Sequence, residues 1–286
     1  MGKLSDIGTI KEILNKYGFS FSKALGQNFL INPSVCPKMA DLGGAGQGIG
    51  VIEIGSGIGV LTYELAKRAD KVVSIELDTR LIPVLNDTLS EFDNVKIING
   101  DVMKIDLKKL IEEEFPEKKV VVCANLPYYI TSPVIMKLLE ERLPIESITV
   151  MVQKEAADRL CAELGTRQTG AVTVSVNYYA EAEMLFKVSS GSFMPPPKVD
   201  SAVIKLSVRH EPKVNVKNEQ LLFQVIKAAF SQRRKTLLNS LSNSMQFKKS
   251  EISEAISLAG VELSARAEQL KLEDFAAIAD ELYKLK

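Results

Sequence analysis

The sequence predicts an α/β fold in which a mostly parallel sheet is followed by a smaller all-helical domain. Up to residue 208, short apolar segments alternate with segments of helical periodicity, whereas the residues beyond Pro212 show helical periodicity alone. A glycine-rich turn follows the first apolar segment, as is typical of the first strand in such a sheet. Because strands that alternate with helices form parallel sheets with right-handed crossovers, we expect residues 1–209 to form the α/β domain and 210–286 the helical one.

The individual elements follow from these patterns along the chain. The strand 51–54 ends in the glycine-rich turn, and the helix after it has apolar residues at Leu61 and Leu65. The proline stretch 195–197 interrupts the alternation before the last strand. The predicted strands are 51–54, 71–76, 95–99, 120–124, 147–153, 171–179 and 201–208, and the predicted helices are 61–68, 81–89, 107–114, 132–141, 154–164, 221–231, 234–242, 252–259 and 272–282.

Composition and cysteine spacing limit the kind of protein. The chain has 286 residues, 46% of them hydrophobic and 25% charged, which is enough for one large core and a small second domain. Its three cysteines, Cys36, Cys123 and Cys161, form no Cys-x-x-Cys pattern, which argues against a disulfide framework and against a zinc site. The N-terminus has no apolar targeting segment, and no apolar run reaches membrane-spanning length. We therefore expect a cytoplasmic protein with no metal site and no membrane partner.

The net charge of zero hides an uneven distribution along the chain. Residues 205–249 contain ten Lys or Arg against two acids, whereas residues 251–286 contain eight acids against four bases. The positive charge is therefore concentrated in one stretch, where a polyanion such as a nucleic acid can bind it. The alternative is that this stretch is only a solvated helix face.

The turn after the first strand carries a first chemical signal. Gly55, Gly57 and Gly59 let the backbone turn sharply and approach a ligand closely, with a helix N-terminus behind them. The Gly-x-Gly-x-Gly spacing differs from the Gly-x-Gly-x-x-Gly of dinucleotide sites and favours S-adenosylmethionine, which has no pyrophosphate. Glu76 ends the second strand 21 positions after Gly55, where an acid can accept hydrogen bonds from both ribose hydroxyls. Asp101 ends the third strand and is placed to accept from an adenine amino group; the alternative for both acids is an ordinary surface position.

The segment Asn125-Leu126-Pro127-Tyr128-Tyr129 directly follows the apolar strand 120–124. The carboxyl ends of parallel strands face the ligand crevice, so these groups point toward a bound molecule. An Asn amide offers both an acceptor and donors to an amino-bearing heterocycle, and a Tyr ring can cover the face of a planar base. The segment therefore indicates a pocket for a flipped-out nucleobase, although a strand followed by a plain Pro-Tyr turn has the same pattern.

Five segments together carry a family resemblance. From about Phe21 to the C-terminus the chain closely resembles the ribosomal RNA adenine dimethyltransferases, and within them the bacterial enzymes that act on the small subunit. Ser56 is a departure, since relatives commonly have Pro there, and we expect it to cost the turn some rigidity. The segments are 25–30 (LGQNFL), 53–59 (EIGSGIG), 125–130 (NLPYYI), 193–203 (FMPPPKVDSAV) and 230–237 (FSQRRKTL).

The resemblance implies a fold and an activity. The implied fold is a Rossmann-like class I methyltransferase with a mostly parallel seven-stranded sheet, an N-terminal helix and cofactor-covering loop within about residues 1–35, and a small all-α C-terminal domain that binds rRNA. The implied reaction transfers four methyl groups from S-adenosylmethionine to N6 of two adjacent adenosines in the 3′-terminal hairpin loop of 16S rRNA, during 30S biogenesis. The family also implies a cytoplasmic monomer whose partner is the small ribosomal subunit.

The resemblance also implies roles for individual residues. The implied cofactor-binding residues are Asn28, Leu30, Gly55, Gly57, Glu76, Asp101 and Asn125, with Asn28 and Leu30 at the methionine end. The implied catalytic residues, which accept from the adenine amino group or cover the base, are Asn125, Leu126, Pro127, Tyr128 and Phe193. The implied rRNA phosphate contacts are Arg233, Arg234 and Lys235.

Other functions stay open at this point. The resistance methyltransferases of large-subunit rRNA share the glycine turn, but they typically read Asn-Ile-Pro-Tyr and Val-Asn-Ser where this chain has Leu126 and Val199-Asp200-Ser201. A ribosome-assembly factor that acts mainly by binding is a second alternative. A nicotinamide oxidoreductase is disfavoured by the glycine spacing and by the lack of a plausible acid or base for hydride transfer.

Overall fold

The computed structural model describes residues 4–19, 21–22, 26–232 and 234–285. Its strands are β1 (Phe29–Leu30), β2 (Ile49–Ile54), β3 (Lys71–Glu76), β4 (Val95–Asn99), β5 (Lys119–Asn125), β6 (Ser147–Gln153), β7 (Ala180–Val188), β8 (Phe193–Met194) and β9 (Ser201–Val208). Its helices are α1 (Ile7–Lys16), α2 (Val35–Leu42), α3 (Val60–Ala66), α4 (Ile82–Thr88), α5 (Leu107–Glu114), α6 (Thr131–Glu140), α7 (Lys154–Leu160), α8 (Ala171–Tyr179), α9 (Glu219–Ala229), α10 (Leu237–Ser244), α11 (Lys249–Leu258) and α12 (Leu272–Tyr283).

Seven of the strands form one sheet in the order β4-β3-β2-β5-β6-β9-β7. The neighbouring pairs from β4 to β6 are parallel, and β9 runs antiparallel to β6. This confirms the mostly parallel seven-stranded sheet. From β2 the chain first adds β3 and β4 on one side of the sheet and then adds β5 and β6 on the other side. Ligands bind at such a topological switch point, outside the carboxyl ends of the strands.

The central strands are mostly apolar and almost entirely buried, because both faces of the sheet are covered. Every residue of β6 from Ser147 to Val152 is buried, as are five of the six residues of β2. On one side α2 and α3 pack Met39 and Leu65 against Cys123 of β5. This packing holds the carboxyl ends of the strands in fixed positions.

The N-terminal helix α1 leads toward the switch point. Asp6 caps its first turn by accepting from the Thr9 N–H, and its apolar face buries Ile10 and Ile13. These two residues belong to a buried cluster that also contains Phe29 of β1 and Ile58 of the glycine turn. The helix therefore positions the segment that follows it against that turn.

A separate two-stranded sheet joins distant parts of the chain. In β1 and β8, Phe29 pairs with Met194 and Leu30 with Phe193. The Ile31 N–H extends the pairing by donating to the Ser192 carbonyl at 2.9 Å. Two of the motif segments, 25–30 and 193–203, are thus neighbours in space.

The predicted strand 171–179 is wrong: these residues form the helix α8. Their sequence, AVTVSVNYY, is rich in β-branched residues, but six of the nine residues are buried, so tertiary packing on several sides outweighs strand propensity. The strand β7 begins directly after it, where Glu181 and Glu183 alternate with more buried residues. That alternation was the available signal for the strand.

The chain divides by its contacts into two compact units, Met1–Ala157 with Glu183–Val208, and Asp158–Ala182 with Arg209–Lys286. The second unit thus includes α8, in a segment that the sequence analysis placed in the α/β domain. Within this unit the hydroxyls of Tyr178 and Tyr179 donate to the Glu219 carboxylate, at 3.2 and 2.9 Å. The Tyr179 ring also stacks on Phe223 of α9, with centroids 5.4 Å apart.

None of the helices in the described part of the chain has the length and apolar character needed to cross a membrane.

Candidate active site

A pocket lies at the carboxyl ends of β2, β3 and β5, within the first compact unit. The loop before β1 forms part of its wall, and Phe193 of β8 forms another part. All the residues predicted to bind the cofactor or the base line this pocket. They are Asn28, Leu30, Gly55, Gly57, Glu76, Asp101, Asn125, Leu126, Pro127, Tyr128 and Phe193.

The glycine turn between β2 and α3 needs glycine for its backbone shape. Gly55 has φ +79° and Gly57 has φ +59°, both in the left-handed region that side chains disfavour. A Cβ on Gly57 would also lie 3.2 Å from the Phe29 ring. The turn can therefore bring its backbone close to a ligand only while these positions lack side chains.

Glu76 is held in place by backbone donors. The Gly57 N–H donates to Oε2 at 2.9 Å, and the Asp78 N–H donates to Oε1 at 2.9 Å. The side chain is only 6% exposed. Burial raises the pKa of Glu76 above its ordinary value, and the backbone N–H donors oppose that rise. The result is a carboxylate already oriented at the end of β3, with acceptor capacity left for ligand hydroxyls.

The loop before β1 is fixed by a side chain that sequence reasoning missed. Gln27 Nε2 donates to Asp78 Oδ2 at 2.8 Å, and Gln27 Oε1 accepts from the Ser22 N–H at 2.8 Å. The hydrogen bond from Arg80 is the main reason that the pKa of Asp78 lies below its ordinary value. Asn28, next in the chain, donates to the Gly26 carbonyl at 3.1 Å. Gln27 stands in the motif segment 25–30, but no pattern in the sequence pairs it with Asp78.

Other pocket residues were also missed. Leu77 and Val102 directly follow the predicted acids Glu76 and Asp101, so their position in the sequence was an available signal. Leu77 is 50% exposed, an unusual position for a leucine beside a polar site, and it offers an apolar surface to a flat ring. Tyr129 was not missed, since it belongs to the predicted segment 125–129; it lines the pocket and is largely exposed.

A buried carboxyl group lies beneath the glycine turn. Glu53 in β2 is fully buried, and its Oε2 accepts from Thr62 Oγ1 at 2.5 Å and from Ser74 Oγ at 2.7 Å. Ser74 Oγ is also hydrogen-bonded to Ser56 Oγ in the turn. Burial raises the pKa of Glu53 to about 7. Ser56, expected only to loosen the turn, is thus tied through Ser74 to the buried carboxyl.

The segment predicted to bind a base lies at the end of β5. Asn125 is the last residue of this strand, and the following Leu126 is 1% exposed. The hydroxyl of Tyr128 is hydrogen-bonded to Ser201 Oγ at 2.9 Å, which fixes the ring from its far end. Burial raises the pKa of Tyr128. Phe193, 3% exposed, lines the same pocket, so an amide and two aromatic rings are available around one cavity.

The lining fits an S-adenosyl group better than a dinucleotide. Among the described residues that line the pocket, none is Lys or Arg, so the pocket offers no cation to a pyrophosphate. It offers an oriented carboxylate at Glu76, a second acid at Asp101 and apolar surface at Leu77. In residues 4–19, 21–22, 26–232 and 234–285, no group of three or more His, Cys, Asp or Glu side chains is placed to hold a metal ion.

Comparison with known proteins decides the family. Residues 18–284 match the family model described as ribosomal RNA adenine dimethylase. The chain belongs to this family.

Individual members of the family agree with that match over most of the chain. Ribosomal RNA small subunit methyltransferase A of Geobacillus thermodenitrificans is 52% identical over 282 residues, covering 97% of this chain and 96% of the relative. The protein of the same name from Bacillus pumilus is 51% identical, covering 96% and 95%. The crystal structure of a dimethyladenosine transferase from Plasmodium falciparum has a TM-score of 0.74 at 28% identity, covering 90% of this chain and 98% of that one. The 23S rRNA methyltransferase ErmE has a TM-score of 0.68 at 28% identity, covering 90% and 100%.

Family and fold together establish the chain as an S-adenosylmethionine-dependent rRNA adenine dimethyltransferase of the Rossmann-like class I type. The predictions of fold class, enzyme class and cofactor are confirmed. The roles of the individual site residues stay predictions, each of which a substitution can test.

The Glu76→Ala variant of this dimethyltransferase is expected to bind S-adenosylmethionine more weakly by on the order of 1–3 kcal/mol, because charge-assisted hydrogen bonds to the ribose are lost. Titration calorimetry measures the change. The matched control is Asp106→Ala, which removes the carboxylate that caps α5 but does not line the pocket. If Glu76→Ala bound the cofactor as well as the control does, Glu76 would have no part in the site.

The basic residues predicted to contact rRNA lie in the second compact unit. Arg234 and Lys235 are exposed in the turn before α10, which Thr236 caps by accepting from the Asn239 N–H. They precede the helix start rather than forming its first turn. Arg233 lies outside the described residues.

Proposed function

We propose that this enzyme dimethylates N6 of two adjacent adenosines in the 3′-terminal hairpin loop of 16S rRNA during 30S biogenesis. The observation that carries the proposal is the pocket at the end of β5, where Asn125 and Tyr128 adjoin the glycine turn. The names of the relatives that are about half identical over nearly the whole chain support the choice of the small subunit. Four methyl groups are transferred for each subunit.

Asn28, Leu30, Gly55, Glu76 and Asp101 are the residues that we assign to cofactor binding, together with Gly57 and Asn125. When bound, S-adenosylmethionine supplies an electrophilic sulfonium methyl group. The oriented Glu76 carboxylate accepts from ribose hydroxyls, and Asp101 accepts from the cofactor's adenine amino group. The loop that contains Asn28 closes the methionine end.

Asn125 and Leu126 prepare the nucleophile. The amino nitrogen of adenine is a poor nucleophile because its lone pair is delocalised into the ring. The Asn125 Oδ1 and the Leu126 carbonyl accept its two N–H groups and favour a pyramidal nitrogen, aligned for attack. No strong base is required, since the methylated cation is acidic enough to lose its proton to water.

The aromatic rings hold the base. Tyr128, fixed by Ser201, stacks on one face of the flipped adenine, and Phe193 closes the other, while Pro127 rigidifies the turn between the acceptors and the ring. After the first methylation only one N–H remains, so one acceptor suffices for the second transfer. This partial redundancy is what permits dimethylation.

Methyl transfer from labelled S-adenosylmethionine tests the function. Unmethylated small subunits and, in parallel, large-subunit rRNA serve as substrates, with nucleoside mass analysis for N6-dimethyladenosine. We expect the product in the small subunit only. Label in the large subunit would assign the enzyme to the resistance methyltransferases, and label in neither would favour a factor that acts by binding.

We assign rRNA binding to the helical domain 210–286. The double variant Arg234→Glu and Lys235→Glu is expected to keep its cofactor affinity, to bind small subunits more weakly, and to show a weaker salt dependence, because phosphate contacts release counterions. Binding is measured by filter retention across a salt series. The control, Lys271→Glu and Lys284→Glu, reverses two charges in the acidic last stretch. Equal binding by both variants would show that Arg234 and Lys235 are only a solvated face.

We also propose that the enzyme works as a monomer in the cytoplasm, where ribosomal subunits are assembled. Cys36 and Cys123 are buried thiols that form no disulfide, which suits a reducing compartment. Light scattering of the purified protein tests the monomer.

A further inference from the structure

A second groove lies in the same compact unit as the active-site pocket. We call it the lysine groove, because Lys38 of α2, Lys154 of α7 and Lys187 of β7 line it. Asn32 and Ser34 contribute polar groups to its wall. Lys38 and Lys187 are exposed, and no part of the reaction derived above uses any of these residues.

The groove carries a net positive charge. Asp200 is the one acid among the described residues that line it, and its Oδ1 accepts from the Ser190 N–H at 2.9 Å. Lys38 is positioned by the Phe186 ring, whose centroid lies 4.2 Å from the lysine Nζ. A cation that rests on an aromatic ring at the groove wall loses less freedom when it meets an anion than a lysine that extends into solvent.

The groove directly adjoins the active-site pocket. Ser192 lines the groove and Phe193, the next residue, lines the pocket. Asp200 lines the groove, and the following Ser201 holds Tyr128 of the pocket. In both segments, consecutive residues therefore contribute to the two cavities, so the groove lies close to the pocket.

The position of the groove determines what it can meet. A base that is flipped into the pocket remains attached to its strand, so the phosphates on either side of it must lie at the pocket rim. Each of those phosphates carries a negative charge, and lysine is a common phosphate ligand. The Ser34 hydroxyl donates to Asn32 Oδ1 at 2.8 Å, and Asn32 Nδ2 donates to Ser192 Oγ at 3.3 Å. These contacts orient the Asn32 amide at the groove wall, and its second N–H can donate to a phosphate or sugar oxygen.

We propose that the lysine groove binds the sugar-phosphate backbone of the single-stranded rRNA that flanks the target adenosine. It is a second RNA-binding site, separate from the basic stretch of the helical domain, and it rests on the proposed function. Its role is to position the strand so that the flipped base enters between Tyr128 and Phe193. An acidic protein partner is the other class of molecule that such a charge could attract, and the salt dependence of binding distinguishes the two.

The test uses the full enzyme and unmethylated small subunits. The double variant Lys38→Gln and Lys187→Gln removes two charges and keeps most of each side-chain stem. The matched control, Lys118→Gln and Lys119→Gln, removes two charges at the amino end of β5, whereas the pocket lies at the carboxyl end of this strand. Subunit binding is measured over a salt series, cofactor affinity by calorimetry, and methyl transfer at limiting and at saturating subunit.

The logarithm of the affinity for subunits falls linearly with the logarithm of the salt concentration, and each single-strand phosphate contact contributes about 0.7 to the steepness of that fall. We expect the groove variant, which loses two contacts, to show a fall that is less steep by about 1.4. The KM for subunits should rise, while kcat at saturating subunit and cofactor affinity stay at wild-type values. The control should behave as wild type does.

Three results would overturn the proposal. Groove and control variants with the same salt slope would show that the lysines are not phosphate contacts. Weaker binding with an unchanged slope would indicate a partner other than the RNA backbone. A wild-type enzyme that neither binds nor methylates small subunits would overturn the proposed function, and the groove proposal with it.

Discussion

The Asn125→Ala variant is expected to slow the first methyl transfer by about 10²–10³-fold, the usual loss when one preorganised hydrogen-bonding group of an active site is removed. Asn125 ends β5 and lines the pocket beside the glycine turn, so its loss leaves the Leu126 carbonyl as the remaining acceptor. The second transfer should be slowed less than the first, because the monomethylated amine has only one N–H to donate. Single-turnover methylation of small subunits, with the mono- and dimethylated products separated by mass, measures both steps.

The matched control for this variant is Asn99→Ala. Asn99 holds the same last position in β4, another parallel strand of the same sheet, but it is not among the residues that line the pocket. Equilibrium dialysis with S-adenosylmethionine separates a loss of cofactor binding from a loss of chemistry. A wild-type single-turnover rate in Asn125→Ala would remove Asn125 from the catalytic residues, and equal slowing of both steps would contradict the redundancy of the two acceptors.

The Glu53→Gln variant is expected to gain stability relative to wild type as the pH rises. Burial raises the pKa of Glu53 to about 7 in the folded protein, against an ordinary value of 4.5. Between those pH values the folded state holds more protons than the unfolded state, so the free energy of unfolding of the wild type falls as the pH rises. The decrease amounts to about 3 kcal/mol and is complete above pH 7. Glutamine does not titrate, so the variant lacks this decrease.

Urea unfolding at a series of pH values from 4.5 to 8 measures the difference. Asp70→Asn serves as a control whose effect does not depend on pH in this range. The hydrogen bond from Lys118 is the main reason that the pKa of Asp70 lies below its ordinary value of 3.8. Asp70 is therefore ionised in both the folded and the unfolded state above that pH, so the stability of this variant relative to wild type should stay constant from pH 4.5 to 8. Stability curves of wild type and Glu53→Gln that run parallel over this range would show that Glu53 titrates normally in the folded state.

Much of the site could be predicted because its signals are local. The glycine turn 55–59 is recognised by its spacing between a strand and a helix. Glu76 is recognised because it ends a strand, and Asp101 because it lies two residues after one. Asn125 is recognised in the same way. A parallel sheet then brings these strand ends together without further information, since its carboxyl ends share one edge.

The features that were missed depend on contacts between distant residues. Gln27 and Asp78 are 51 positions apart, and Tyr128 and Ser201 are 73 apart, with no pattern in the sequence that links either pair. In the sequence, Glu53 is only one polar residue in an apolar strand. The structure is needed to show that Ser74 and Thr62 donate to its carboxylate.

The mistaken strand has a different cause. In α8 the β-branched residues favour a strand locally, and the packing of this segment against α9 and α12 decides the outcome.

The two-residue pairing of β1 with β8 sets the order in which the pocket can be made during translation. Leu30 is added to the growing chain early, and its partner Phe193 is added about 160 residues later. At 5–20 residues per second the N-terminal loop waits on the order of ten seconds for the strand that fixes it. The loop before β1, which we assign to cofactor binding, therefore acquires its final support only when about two thirds of the chain has been synthesised. A nascent chain cannot have a complete pocket before then.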